Sequence, residues 1–132
     1  MTIQKCYQQL GGDFTQVEKR LSSANLVQKF IAKFLDDGSF SELCLAMKEG
    51  QPENAFRAAH TLKGVSASLS LTRLLSSVSQ LAELLRTEAE TIPVGADLLF
   101  EEVKQDYELT VSTIHAYLGA DNRQENTHRG RT

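Results

Sequence analysis

The sequence predicts an all-α protein: an antiparallel up-and-down four-helix bundle with short additional N-terminal helices. Three observations carry that class. The 132 residues include only two prolines and eight glycines, too little punctuation for a turn-rich β protein, whose strands need such breaks. Apolar residues recur at three- and four-residue spacing in stretch after stretch, the period of a half-buried helix. The connections between stretches are short, which folds successive helices back on one another. The length suits one domain, expected over residues 1–119, with a polar tail over 120–132.

The elements follow in order. Ile3, Tyr7 and Leu10 sit at helical spacing, and Gly11-Gly12 stops them. Asp13 is placed to cap a short helix carrying Phe14, Val17 and Leu21. Asn25 is the expected cap of the next, with Leu26, Val27, Phe30, Ile31 and Phe34 on its apolar side. Asp36-Asp37-Gly38 ends that helix, and Ser39 is expected to open another over 40–49. Gly50 then Pro52 is a stop and a start, since glycine suits the left-handed C-terminal position and proline the first helical turn. A helical pattern from Pro52 to about Leu69 is interrupted at Ser70-Leu71-Thr72 and resumes through Arg86. After a loop at 91–95, a long helix carries Leu99, Val103, Tyr107, Val111, Ile114 and Leu118 to an expected end at Gly119. The tail 120–132 has no large apolar residue to bury and is expected to be disordered.

Composition excludes several functions. Fourteen basic against seventeen acidic residues leave a formal charge of −3, the wrong sign for a domain that grips nucleic acid through its phosphates. No apolar run approaches the roughly 18–20 residues needed to span a bilayer. The start, Met1-Thr2-Ile3-Gln4-Lys5, lacks the apolar block of a secretion signal. A soluble, cytoplasmic chain is expected. Cys6 and Cys44 form no C-x-x-C and have no histidine spaced to share a metal. Cys44, among Phe40, Leu43 and Met47, is expected to behave as a small core hydrophobe.

The informative stretch is 52–69. At about 100° per residue, Ala55, Ala58, Leu62, Val65 and Leu69 fall roughly 140–220° from His60. His60 therefore faces water. Glu53, Phe56, Arg57, Lys63, Gly64 and Ala67 lie within about 60° of it. Phe56 puts an aromatic ring one turn before the histidine. Lys63 puts an ammonium one turn after it. Gly64 sits mid-helix, where glycine costs about 1 kcal/mol relative to alanine, which points to a need for close approach. Each residue alone has a bland reading: an exposed histidine, an ordinary surface aromatic, a solvated lysine. Together they describe a docking surface with a nucleophile at its centre.

Ala59-His60-Thr61-Leu62-Lys63-Gly64-Val65-Ser66-Ala67 resembles the signature of histidine phosphotransfer (HPt) domains, whose core pattern is H-x-x-K-G. Leu10-Gly11-Gly12-Asp13, the segment 30–40 and the run from Leu81 to Arg86 are also similar to small stand-alone bacterial members. The likeness covers roughly residues 5–117. It implies a helical bundle whose exposed His60 takes a phosphoryl group from a receiver-domain aspartyl phosphate and passes it to another receiver. Implied partners are receiver domains of response regulators and a hybrid sensor kinase, with no cofactor and no metal bound here, because the receiver supplies the metal ion. Lys63 would stabilise the phosphate, Gly64 would give the receiver access, and Phe56, Arg57 and Ala67 would bind it.

Two departures stand out. Members usually carry glycine ten residues after the histidine, where this chain has Ser70, which either splays the helices slightly or caps the next one. Many also hold the imidazole with a glutamine on the following helix. The matching position is Ala82, with Ser79, Glu83 and Arg86 nearby, and Gln80 pointing elsewhere.

The function expected is a phosphoryl carrier rather than a turnover enzyme. No Gly-rich nucleotide loop occurs, so the chain is not a complete ATP-dependent kinase. One alternative is a helical adaptor that binds receivers or other signalling proteins through the Phe56 face without accepting phosphate. A metal-binding bundle is remote. Glu125 and His128 form one E-x-x-H, whereas a di-iron bundle needs two such pairs and two more glutamates. The start at Met1 and the polar tail suggest a stand-alone chain, and a monomer is expected.

Overall fold

The computed structural model describes residues 1–130, with side chains through Gly119. Among them are α1 (Ile3–Leu10), α2 (Phe14–Leu21), α3 (Ala24–Phe34), α4 (Ser39–Lys48), α5 (Pro52–Ser68), α6 (Thr72–Leu85) and α7 (Ala96–Gly130). The bounds of α7 extend beyond Gly119, the expected stop. The expectation of a disordered tail at 120–132 concerns residues outside the described side chains.

Helix ends follow from local hydrogen-bond chemistry, with two corrections to the sequence expectations. Asp13 caps α2 as expected, accepting from the Gln16 amide at 3.0 Å. The cap of α3 is Ser23 rather than Asn25. Ser23 has the extended backbone a cap needs and accepts from the Leu26 amide at 3.1 Å, while Asn25 lies inside the helix. The α4 cap is Gly38, and Ser39 is already the first helical residue. Asp37 accepts from both the amide and the hydroxyl of Ser39, so the carboxylate does the work expected of the serine. Gly50 ends α4 at φ 67°, with its own amide on Met47 O and the Gln51 amide on Ala46 O. Those bonds satisfy the last carbonyls of the helix.

Helices α4 to α7 form the four-helix bundle. Helix α5 lies between α4 and α6, and α6 lies against α7. Three-residue connections at 49–51 and 69–71 force the packed neighbours to run antiparallel. Stacking closes α4 onto α7, with the Phe40 and Tyr107 rings 3.9 Å apart and 10° from parallel. Leu43, Leu62, Leu74, Val78, Leu81, Leu85, Val103 and Ile114 fill the middle. The core side of α5 is largely small: Ala55, Ala58, Ala59 and Ser66 are all buried. Short side chains there let α4 and α6 approach closely and leave the opposite face of α5 uncovered.

The N-terminal helices seat on the α5–α6 turn. Tyr7 donates its hydroxyl to Leu69 O at 2.8 Å, the Asp13 amide donates to Ser70 O at 2.9 Å, and the Arg73 amide donates to Gly11 O at 3.0 Å. A Cβ at Gly12 would fall 2.7 Å from the Tyr7 ring and 2.8 Å from Ser70 O. Only glycine lets the backbone segments of this junction come so near. Cys6 is fully buried beside Tyr7, and burial pushes its thiol up to about 11. Cys44 is half-buried. Among the described residues no helix is long and apolar enough to cross a membrane.

Candidate functional site

The uncovered face of α5 carries the site. Ala55, Ala58, Ala59 and Leu62 are at most 3% exposed, and His60 on the opposite side is exposed, as the helical period requires. Val65, at the edge of the apolar arc, is half-buried instead of buried. It faces a shallow groove shared with Phe30, Phe34 and Leu69.

Around His60 the predicted residues come together on one face. Gly64 is exposed, and a Cβ built there would meet no heavy atom within 4 Å. The turn following the imidazole is therefore open to an incoming group. Lys63 and Ala67 are half-buried, on the flank of the helix that turns toward α6. Arg57 is exposed and pairs with Glu53 at 2.6 Å. A solvent-exposed i,i+4 pair of this kind contributes little, so its guanidinium can be released to another anion.

Phe56 is more constrained than a lone surface aromatic. Its ring stacks on His60, with centroids 5.8 Å apart and planes 21° from parallel. The Arg86 guanidinium lies 5.4 Å from the Phe56 centroid and pairs with Glu83 at 3.5 Å. The sequence places Arg86 near the site, and the structure adds its contact with Phe56. The signal was available: the two lie at roughly equal chain distances either side of Ser70, which is where an antiparallel pair of helices brings residues side by side. Ala82 is buried and offers only a methyl, and Gln80 is exposed. Among the described residues no side chain hydrogen-bonds the His60 imidazole.

Ser70 does not cap α6, whose cap is Leu71 without a side-chain bond. It stands at φ 52°, in the left-handed region, just past the end of α5. Its amide donates to Ala67 O and the Leu71 amide to Ser66 O, the paired bonds of a Schellman ending, where glycine is the usual residue. Its hydroxyl donates to Gln16 Oε1 at 2.7 Å and accepts from Arg20 Nη1 at 3.1 Å. The same Arg20 nitrogen reaches Ala67 O and Ser68 O, at 2.8 and 2.7 Å. The serine thus exchanges glycine's conformational ease for a tether to α2.

His115 is exposed on α7, well removed in sequence from these neighbours. Among the described residues no group of three His, Cys, Asp or Glu side chains is placed to hold a metal. An all-helical bundle with an exposed histidine above a glycine gap defines a class of protein by its fold and site. The Hpt domain family model matches residues 25–121, well over half of the chain, and the protein belongs to that family. Neither a curated protein nor a solved structure matches it. Helices α1 and α2 precede the matched region.

Proposed function

We propose that His60 is the phosphoacceptor of a two-component phosphorelay. The observation that carries this is the exposed imidazole on the uncovered face of α5, followed one turn later by Lys63 and the empty space at Gly64. In the transfer, an imidazole nitrogen attacks the phosphorus of a receiver's aspartyl phosphate. The N–P bond forms as the P–O bond to the carboxyl breaks, and the carboxylate leaves with the electron pair. The exposed ring can release its remaining proton to water. Transfer of this type depends on positioning and charge stabilisation more than on acid–base machinery. Neutral imidazole is a good nucleophile near pH 7. A second receiver reverses the step.

Lys63 supplies a compact cation for the phosphoryl oxygens, and Gly64 admits the receiver's carboxylate. Phe56, Arg57 and Ala67 form the surrounding contact. The partners are receiver domains and a hybrid sensor kinase in the cytoplasm, with the chain acting as a monomer, its bundle over 1–119 and a polar tail beyond. The chain itself makes no use of ATP and binds no metal or cofactor.

Mixing the protein with a radiolabelled phospho-receiver tests this directly. Acid-labile label should appear on the wild type and vanish in His60→Gln. Label surviving that substitution, or lost only in His115→Gln, overturns the assignment. A receiver that binds without transferring label identifies an adaptor instead. Lys63→Ala should keep its helical signal and melting temperature, because Lys63 lies outside the core. Its transfer should slow about 10- to 100-fold, the value of a lost charge-assisted contact. An unchanged rate would assign phosphate stabilisation to another cation.

A further inference from the structure

With alanine at position 82, no side chain among the described residues hydrogen-bonds the imidazole, yet the ring is not without support. We propose that Phe56 is the positioning residue for His60, holding the imidazole by ring stacking in place of a hydrogen bond. The inference rests on His60 being the phosphoacceptor.

The geometry supports it at each step. Phe56 and His60 are four residues apart on α5, so their side chains lie on the same face one turn apart. Their planes differ by only 21° at a centroid separation of 5.8 Å, within the range of offset stacking. The supporting ring is itself held. Phe56 is half-buried, and the Arg86 guanidinium at the end of α6 covers it at 5.4 Å. Glu83, one turn earlier on α6, lies 3.5 Å from that guanidinium, an exposed pair that adds little to its placement. Stacking restrains the tilt of the imidazole while leaving both ring nitrogens unblocked. An acceptor that must take a phosphoryl group and later give it up needs such freedom at nitrogen. Ala82, buried on α6, offers no polar atom to compete for it.

Docking and positioning make different predictions for Phe56, and a small phosphodonor separates them. Phosphoramidate needs no protein surface to dock on. With phosphoramidate as donor, Phe56→Leu should label His60 about three- to tenfold more slowly than wild type, the loss expected for one aromatic contact. Phe56→Tyr, which keeps the ring, should recover the wild-type rate. In the unsubstituted protein, NMR should show contacts between the Phe56 and His60 ring protons. The His60 ring resonances should shift in Phe56→Leu as the ring current is lost, a signature independent of phosphorylation and of melting temperature.

Outcomes divide cleanly. Wild-type rates with phosphoramidate in Phe56→Leu, with only the KM for a phospho-receiver raised, would make Phe56 a docking residue and overturn the proposal. Absence of the ring-to-ring contacts in the wild type would overturn it without any variant. A wild-type protein that takes label from neither phosphoramidate nor a receiver removes the phosphoacceptor assignment itself, and the proposal with it.

Discussion

At the scale of single residues, Gly64 separates stability from function. Glycine inside a helix is unfavourable, and nothing in the fold occupies the space a side chain would take. Gly64→Ala should therefore stabilise the protein by up to about 1 kcal/mol, measured as a raised urea midpoint. Gly64→Gln should also fold, since its side chain would project into solvent. There it would stand beside His60, where a receiver carboxyl must bring its phosphorus to roughly 3 Å from the imidazole. Receiver binding and transfer should fall sharply while the melting temperature holds or rises. Normal transfer by Gly64→Gln would show that the gap does not serve access. Unfolding would show that α5 relies on glycine for packing.

At the scale of elements, the turn joining α5 to α6 decides how the site-bearing helix ends. Ser70 accepts a left-handed backbone, which costs a residue with a Cβ about 1 kcal/mol or more. Its buried hydroxyl offsets that cost through Gln16 and Arg20. Ser70→Ala keeps the strain and loses both bonds, and should destabilise by about 1–3 kcal/mol. Ser70→Gly loses the same bonds but relieves the backbone, so it should be about 1 kcal/mol more stable than Ser70→Ala. Equal urea midpoints for the two variants would show that the positive φ carries no strain. Both should keep His60 competent to take phosphate, because the turn lies beyond the open face.

At the scale of the whole molecule, α1 links the N-terminus to the bundle through buried groups that resist ionisation. The ordinary thiol value of 9.0 rises to about 11 at Cys6, and burial raises Tyr7 as well. Between pH 9 and 11 the unfolded chain has released the Cys6 proton while the folded chain retains it. Fewer protons on the unfolded state mean that stability falls as pH rises through this window and is intact below it. The loss from Cys6 should be on the order of 2–3 kcal/mol across those two units. Urea unfolding followed from pH 8 to 11 should show this decline. Cys6→Ala should reduce it between pH 9 and 10, leaving the contribution of Cys44, which burial also raises, and those of Tyr7 and Tyr107 at higher pH. An undiminished slope in that variant would place the titrating group elsewhere.

Much of this protein was legible in its sequence, because helix periodicity acts over a few residues. The apolar arc of 55–69 put His60 outward with no knowledge of neighbouring helices, and the open space at Gly64 follows from the same arithmetic. Asp13, Gly50 and Pro52 announced helix ends through local hydrogen-bond and dihedral preferences. Where two polar residues competed for one cap, as with Ser23 and Asn25, the choice depended on which backbone was left extended. Tertiary structure alone decided the rest. Ser70 draws its partners from residues about 50 positions away, and Arg86 reaches Phe56 only because α5 and α6 pack in one particular register. The sequence by itself determined which face of α5 meets water. Which side chains from other helices steady that face was settled by packing, since contacts between distant segments exist only once the chain has closed on itself.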